Sequence, residues 1–598
     1  MKKFYFFILS IVVLALACTT IQNDPEITAK EIKEHIKYLA SDEMKGRYTG
    51  SPEAKLAAEY LAKEYKSYGL KPLFKDDFFQ YYNFISSLSL GENSLEIDLN
   101  KARIQPEIKK EFIPTPFSGN IKYQGDMVMV GYGISAPDLK YDDYEGIDVK
   151  GKAVIVLRYH PDHKNPHSDF EKYAAYRYKA KIARDKGASA IIFVNGFFPK
   201  DEEDKLMNLR YDGAVGMDDI GAIQIKRNII KGILEAENVD LKEYQQMIDS
   251  TQKPNSFKLK FSTIKNLTTS VSPVNGQGIN VAALLEGSDN KLKDEYIVIG
   301  AHYDHLGYGE TGSLYRGEEK QIHNGADDNA SGTAGVIELA EKFASIKDKI
   351  KRSIIFVNFS GEELGLLGSD YFVKNLPVPA EKIVAMINLD MVGRLDTAKA
   401  LTVYGVGTSS VWKELLKEGN KPYNFKLNEV DDGYGPSDQT SFYGKNIPVL
   451  FFFTGIHKDY HRPTDDADLI NGEGEESILK LVENVTENLA NKESKPDYVN
   501  VPRKDGGRTM GFRVYVGTIP DYSSQEKGFK INGVNEGSPA QKGGIQAGDI
   551  MTSFGGKKIE NIYDYTYALG EFNPGDVVDV VVMRNGKEVK LKVELGAR

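Results

Sequence analysis

Tyr296-Ile297-Val298-Ile299-Gly300-Ala301-His302-Tyr303-Asp304-His305 is an apolar run that ends in a burst of ionisable side chains. The same pattern recurs downstream. Residues 354–359 run into Ser360-Gly361-Glu362-Glu363, residues 384–389 end at Asp390, and residues 449–453 lead to Asp459-Tyr460-His461-Arg462-Pro463. Short continuous apolar runs of this kind are the pattern of parallel strands buried on both faces. Helical patterns lie between them from about 265 to 495, which predicts an α/β domain with a parallel sheet. In open α/β sheets ligands sit beyond the carboxyl ends of the strands. Here four such ends deliver His, Asp or Glu to one rim. Between the first two lies Gly325-Ala326-Asp327-Asp328-Asn329-Ala330-Ser331-Gly332, which opens a predicted helix at 333–343.

Composition narrows the chemistry of that rim. The 598 residues contain one cysteine, Cys18, so neither a disulfide framework nor a thiolate-bound zinc site can form within a chain. A transition-metal site must therefore use His, Asp and Glu, a donor set that suits zinc and related divalent ions. Carboxylates crowded into one pocket repel unless cations neutralise them, and two metals sharing one carboxylate is the economical arrangement. Net charge is −10, from 76 basic and 86 acidic residues. A mildly acidic chain gains nothing from phosphate counterion release, so no nucleic-acid partner is expected.

At these residues the sequence resembles the co-catalytic dizinc aminopeptidases, relatives of glutamate carboxypeptidase II. The resemblance covers the helical start and about 265 to 495. It implies a phosphorylase/hydrolase-like α/β/α sandwich with a mixed, mainly parallel sheet, and two Zn2+ per chain. His302 and Asp390 would hold one zinc, Glu363 and His461 the other, and Asp328 would bridge them; Asp328, not Asp327, falls three residues before Ser331 as the family's bridging Asp does. Glu362 matches the general base and Asp304 the carboxylate that orients His302 from behind. Tyr460 matches a phenol that some members use to stabilise the oxyanion. The substrates implied are peptides, attacked from the free amino end.

Other ionisable residues match no ligand position. His305 and His323 are read as exposed or outer histidines, and His457 as a rim residue. Asp438 lies in Gly435-Pro436-Ser437-Asp438-Gln439-Thr440, where the family often has Ser-Asp-His and this chain has Gln439. His160, His163 and His167 share a Pro- and Asp-containing loop, read as a solvated loop near the substrate entrance rather than a metal site.

Three accessory segments flank the α/β region. Residues 120–260 resemble the protease-associated domain, a β-rich insertion that covers the site's mouth, on Gly131-Tyr132-Gly133-Ile134 and 186–195. Residues 28–119 are assigned to the peptidase domain's N-terminal part, 496–505 to a polar linker and 506–598 to a PDZ domain. The last rests on Thr509-Met510-Gly511-Phe512, Gly537-Ser538-Pro539-Ala540 and Gly544 to Ile550. Such a domain takes C-terminal peptides by strand addition; packing against the catalytic domain is its alternative use. Residues 1–17, with Lys2-Lys3 and an apolar run, read as a signal peptide. Ala15-Leu16-Ala17-Cys18 resembles a bacterial lipobox, with Ala15 where a larger aliphatic residue is usual. That predicts an exported cell-envelope lipoprotein of periplasm or outer membrane, its membrane partner reached through lipid on Cys18, with 18–27 as tether.

Rival readings keep the fold but change the reaction. A carboxypeptidase or dipeptidase would use the same centre, and a non-catalytic peptide-binding relative would have lost it. All five matched ligands and Glu362 are intact, which argues against the last and against single-zinc cyclases of the same fold.

Overall fold

Strands that are apolar on both faces must lie in the middle of a sheet covered on both sides. Ser353–Phe359 and Ile383–Leu389 are buried at every position. With Tyr296–His302 and Val449–Phe453 they form a parallel block, in the order Ser353–Phe359, Tyr296–His302, Ile383–Leu389, Val449–Phe453. The computed structural model describes residues 25–501, 514–521 and 526–597, apart from 199–203 and positions 101, 166, 215, 318 and 536. Residues 1–17, read as a signal peptide, Cys18 and Thr509–Phe512 lie outside the described residues.

On either side of the block the sheet turns antiparallel. Val271–Leu285 runs against Ser353–Phe359, and Ala400–Tyr404 against Val449–Phe453. The sheet is thus mixed, with antiparallel pairings as numerous as parallel ones, rather than mainly parallel. Helices cover it. Ala29–Leu39 is capped by Thr28, whose side chain accepts from the Glu31 amide, and buries Ile32, Ile36 and Leu39 along one face. Pro52–Ser67, capped by Ser51 with Pro at its first turn, buries Ala57, Leu61 and Tyr65. Both join Gly332–Ser345 and Gly472–Asn491 in one apolar core.

The inserted domain is larger than 120–260. Phe79–Leu90 and Val271–Leu285 pair antiparallel from Phe79↔Val281 to Leu90↔Val271. The chain therefore leaves and re-enters the α/β domain along one two-stranded ribbon, and everything between belongs to the insertion. Ser94–Leu99, Ala102–Ile104 and Phe112–Pro114, assigned from sequence to the peptidase domain, pair into the insertion's eight-stranded sheet. Its centre is parallel, Lys122–Met129, Ala153–Leu157, Ala190–Val194 and Gly221–Ile225, with the helix Tyr176–Asp185 against it.

The described part of the segment read as a linker, 496–501, is held by hydrogen bonds to the α/β domain. The Val499 amide donates to the Thr408 carbonyl at 2.8 Å, the Val501 amide to the Tyr443 hydroxyl at 2.8 Å, and Asp497 accepts from Ser409 and Ser410. The C-terminal domain follows as antiparallel strands Phe529–Val534, Ile550–Phe554, Val577–Arg584 and Lys587–Glu594, with the helix Ile562–Leu569 on its own apolar core. Among the described residues no helix is long and apolar enough to cross a membrane.

Candidate metal centre

The four parallel strands end at one rim, and the side chains just past them converge. His302 ends its strand fully buried, with Nε2 3.4 Å from Asp328 and 3.5 Å from Asp390. Its Nδ1 lies 3.1 Å from the Asp304 carbonyl. A carbonyl only accepts, so Nδ1 carries the proton and Nε2 is left to face the carboxylates. His461 repeats the device: Nδ1 donates to the Gly312 carbonyl at 2.9 Å, and Nε2 stands 3.2 Å from Asp328 and 3.3 Å from Glu363. Asp328 touches both histidines, with Asp390 on one flank and Glu363 on the other.

The next layer fixes these groups. Asp304 holds His302 mainly through its backbone; its carboxylate is 3.6 Å from Nδ1, and accepts from the Thr49 hydroxyl at 2.8 Å. Asp465 accepts from the Asp327 and Asp328 amides at 3.0 and 3.1 Å, which turns the Asp328 carboxylate inward. Asp327 points elsewhere, to the Gly393 amide at 2.7 Å and to His457 at 3.1 Å. The Ser437 hydroxyl donates to Asp390 at 2.7 Å. Gly325 adopts φ +60, and a Cβ there would lie 2.3 Å from the Asp328 carbonyl and 2.4 Å from the His305 ring, so only glycine fits.

Three contributors carry no local sequence signal. Arg47, fully buried, donates to the carbonyls of Tyr303 at 2.7 Å, Asn324 at 2.7 Å and Gly325 at 3.0 Å, and so ties the His302 loop to the Asp328 loop. Ser437 is the second. The third is His305, which is buried rather than exposed: its Nδ1 is 2.8 Å from Glu363 and 3.9 Å from Asp328. Only its spacing from His302, three residues across a strand end, could have marked it. Arg47→Met should lower stability by roughly 3 kcal/mol or more, since stranded buried carbonyls cost about 1–3 kcal/mol each. Chemical denaturation checks this; a change below ~1 kcal/mol would remove Arg47 from this role.

Charge explains the titration behaviour. Burial, with the negative charges of Glu363 and Asp390, pushes Glu362 well above the usual carboxylate range. Burial likewise raises Asp390. His461 is drawn down by burial, but its bonds to Asp328 and Glu363 outweigh that and raise it to about 11. Tyr460 is held protonated by burial and by Asp328 and Glu363, and its ring stacks on His461 at 3.8 Å between centroids.

The donors fit zinc. Two groups, His302–Asp328–Asp390 and His305–Asp328–Glu363, each bring their donor atoms within 4.8 Å of one another and share Asp328. They are imidazole and carboxylate without thiolate. Asp390 Oδ1 is buried without a hydrogen-bond partner, as a ligand atom awaiting a cation would be. Elsewhere, His323 bonds Ser313 and the Gln321 carbonyl. His160 is buried against Phe170 and Glu171, and His163 bonds Asp249, so they are not a solvated cluster; only His167 is exposed. Asp438 is fully buried, pushed up to about 7 by burial.

With this geometry in place, comparison with known proteins gives a consistent picture. Residues 280–486 match the model of Peptidase family M28, and residues 513–595 that of the PDZ domain. Aminopeptidase YwaD of Bacillus subtilis is 24% identical over 430 residues, 68% of this chain and 80% of that protein. A probable zinc metalloprotease of Pyrenophora teres f. teres is 41% identical over 113 residues, 19% of this chain and 22% of that protein. Among solved structures, an aminopeptidase from Aneurinibacillus sp. strain AM-1 superposes with a TM-score of 0.47 at 24% identity, over 80% of this chain and 97% of that one.

Proposed function

Residues 280–486 are a peptidase domain of family M28 and residues 513–595 a PDZ domain, and on that premise we propose a zinc-dependent aminopeptidase that uses two zinc ions. The observation that carries the reading is that Asp328 stands between two sets of ligand-type side chains, His302 with Asp390 and His461 with Glu363. His302 and Asp390 would hold one ion and Glu363 and His461 the other, with Asp328 available to both. Zinc bound there supplies Lewis-acid polarisation of the scissile carbonyl and acidifies water.

The chain's own residues supply the rest. Glu362 takes a proton from the attacking water at its carboxylate and returns it to the leaving amine. Tyr460, kept protonated, can donate its hydroxyl to the developing oxyanion. Asp304 and Gly312 fix the tautomers of His302 and His461. Asp304→Ala should weaken zinc binding by about 10–100-fold, the range for losing an outer partner of a ligand. Competition with a chelating dye reads this, and unchanged affinity would clear Asp304 of the role.

Direction of attack follows from charge. Glu362, Glu363 and Asp390 make a negative pocket for an α-amine. A carboxypeptidase needs a cationic clamp, and Arg394 is committed to Asp459 at 3.0 Å. A free-amine peptide should be trimmed from its N-terminus, while its N-acetylated twin with a free C-terminus resists. Release of C-terminal residues from the blocked peptide would move the protein to the carboxypeptidase reading.

We also propose that the chain is an exported lipoprotein anchored through Cys18, on the strength of residues 1–18. Labelled fatty acid should enter the wild-type chain and not Cys18→Ser. A mature wild-type chain with a free thiol at Cys18 would refute the anchor. For the PDZ domain we propose a C-terminal peptide ligand taken by strand addition, the general mode of such domains.

A further inference from the structure

A cavity of about 1360 Å³ opens from Glu363 and His323, larger than the ~300–1,000 Å³ of ordinary small-ligand pockets. Its walls come from two domains. One is the 208–213 stretch of the inserted domain, including Asp212; the other includes Tyr371 and Lys374 on the peptidase helix Leu367–Lys374. The C-terminal domain touches both. Asp521 pairs with Lys374 on the peptidase side. On the other side the Tyr563 hydroxyl donates to the Asp212 carbonyl at 3.0 Å. Arg177 of the inserted domain bonds the Asp212 carboxylate at 2.5 and 2.6 Å and lies 5.2 Å from the Tyr563 ring centre.

Behind these contacts the two domains share a desolvated interface. The helix Ile562–Leu569 packs on Tyr176–Asp185, with Tyr567 edge-on to Tyr178 at 5.3 Å. Arg184 pairs with Glu560 and lies 3.9 Å from Asp564, and their side chains are 6%, 7% and 1% exposed. Lys558 bonds Asp219 at 2.9 Å at the edge. A buried, charge-matched contact of this kind fixes orientation, and breaking one partner leaves the other charge stranded.

We propose that the C-terminal domain is a clamp across the substrate cavity, tying the inserted domain to the peptidase domain and so limiting the length of peptide that reaches the metal centre. The proposal rests on the peptidase reading and adds substrate size to it. Short peptides can lie within the cavity without spanning from one wall to the other. A chain of about fifteen residues spans roughly 50 Å when extended and must part the walls.

The test uses the full-length protein carrying Arg184→Glu and Asp521→Lys, neither in the catalytic machinery. Two quantities are read: amide hydrogen exchange of 176–185 and 208–213, and the ratio of kcat/KM for a fifteen-residue peptide to that for an aminoacyl anilide. Turnover of the anilide by the wild type tests the peptidase reading separately. We expect faster exchange in both segments and a ratio raised by roughly tenfold. Glu560→Arg added to Arg184→Glu should restore the wild-type ratio by re-pairing the charges. Unchanged exchange would mean these contacts do not hold the walls. Faster exchange with an unchanged ratio would mean the walls do not select by length. A falling ratio would mean the domain delivers long peptides instead. Each of these three results overturns the clamp.

Discussion

Glu362→Gln is expected to keep its zinc and to lose roughly 10²–10⁴-fold in kcat, the usual contribution of a general base. The amide matches the carboxylate in shape, so the surrounding geometry is retained. Glu362 is 3.9 Å from His302 Nε2, farther than Asp328 or Asp390, so the ligand sphere loses nothing. What disappears is the proton acceptor, because an amide oxygen is far less basic than a carboxylate. The loss should fall on kcat with little change in KM, since the interaction is made only in the transition state. Metal analysis beside steady-state kinetics decides it. A variant with full zinc and full turnover would take Glu362 out of the reaction.

Asp328→Ala should have the largest effect on the metal itself. Asp328 stands within 3.4 Å of both His302 and His461, and no other carboxylate does so. On the two-zinc proposal, removing it would take a ligand from each ion at once, and zinc content and activity should fall to background together. The pH dependence follows from the same charges. In the zinc-free protein His461 carries its proton up to about 11 because Asp328 and Glu363 hold it there. Zinc must displace that proton. Apparent affinity therefore rises about tenfold per pH unit for each proton displaced and falls as pH drops. Equilibrium dialysis at several pH values reads both effects. Retention of zinc and activity by the variant would show that Asp328 bridges nothing.

Much of this cluster was legible in the sequence because His302, Glu363, Asp390 and His461 follow strands announced by their own apolar runs, while Asp328 lies in the Gly-flanked segment that opens a helix. Tyr296–His302 or Val449–Phe453 can be drawn to within a residue or two, and the rim then gathers the ionisable residues without knowledge of side-chain direction. Arg47 and Ser437 were illegible for the opposite reason. Arg47 acts on Tyr303 and Asn324, 256 and 277 residues away, and nothing near it hints at those partners. His305 was visible as a residue but not as a neighbour of Glu363, because the loop that turns it inward depends on Gly325. The insertion's first strands were missed since Ala102–Ile104 and Phe112–Pro114 are too short for alternation to show. The linker's polarity concealed its docking, which runs through backbone groups that every residue has.

The central claim is that two zinc ions share Asp328. Crystals grown with zinc and measured at the zinc absorption edge test it directly. The account predicts two anomalous peaks about 3.5–4 Å apart, both within bonding distance of Asp328, with His302 and Asp390 on one and His461 and Glu363 on the other. A single peak, or a peak at Asp327 and His457 in place of Asp328, would contradict it.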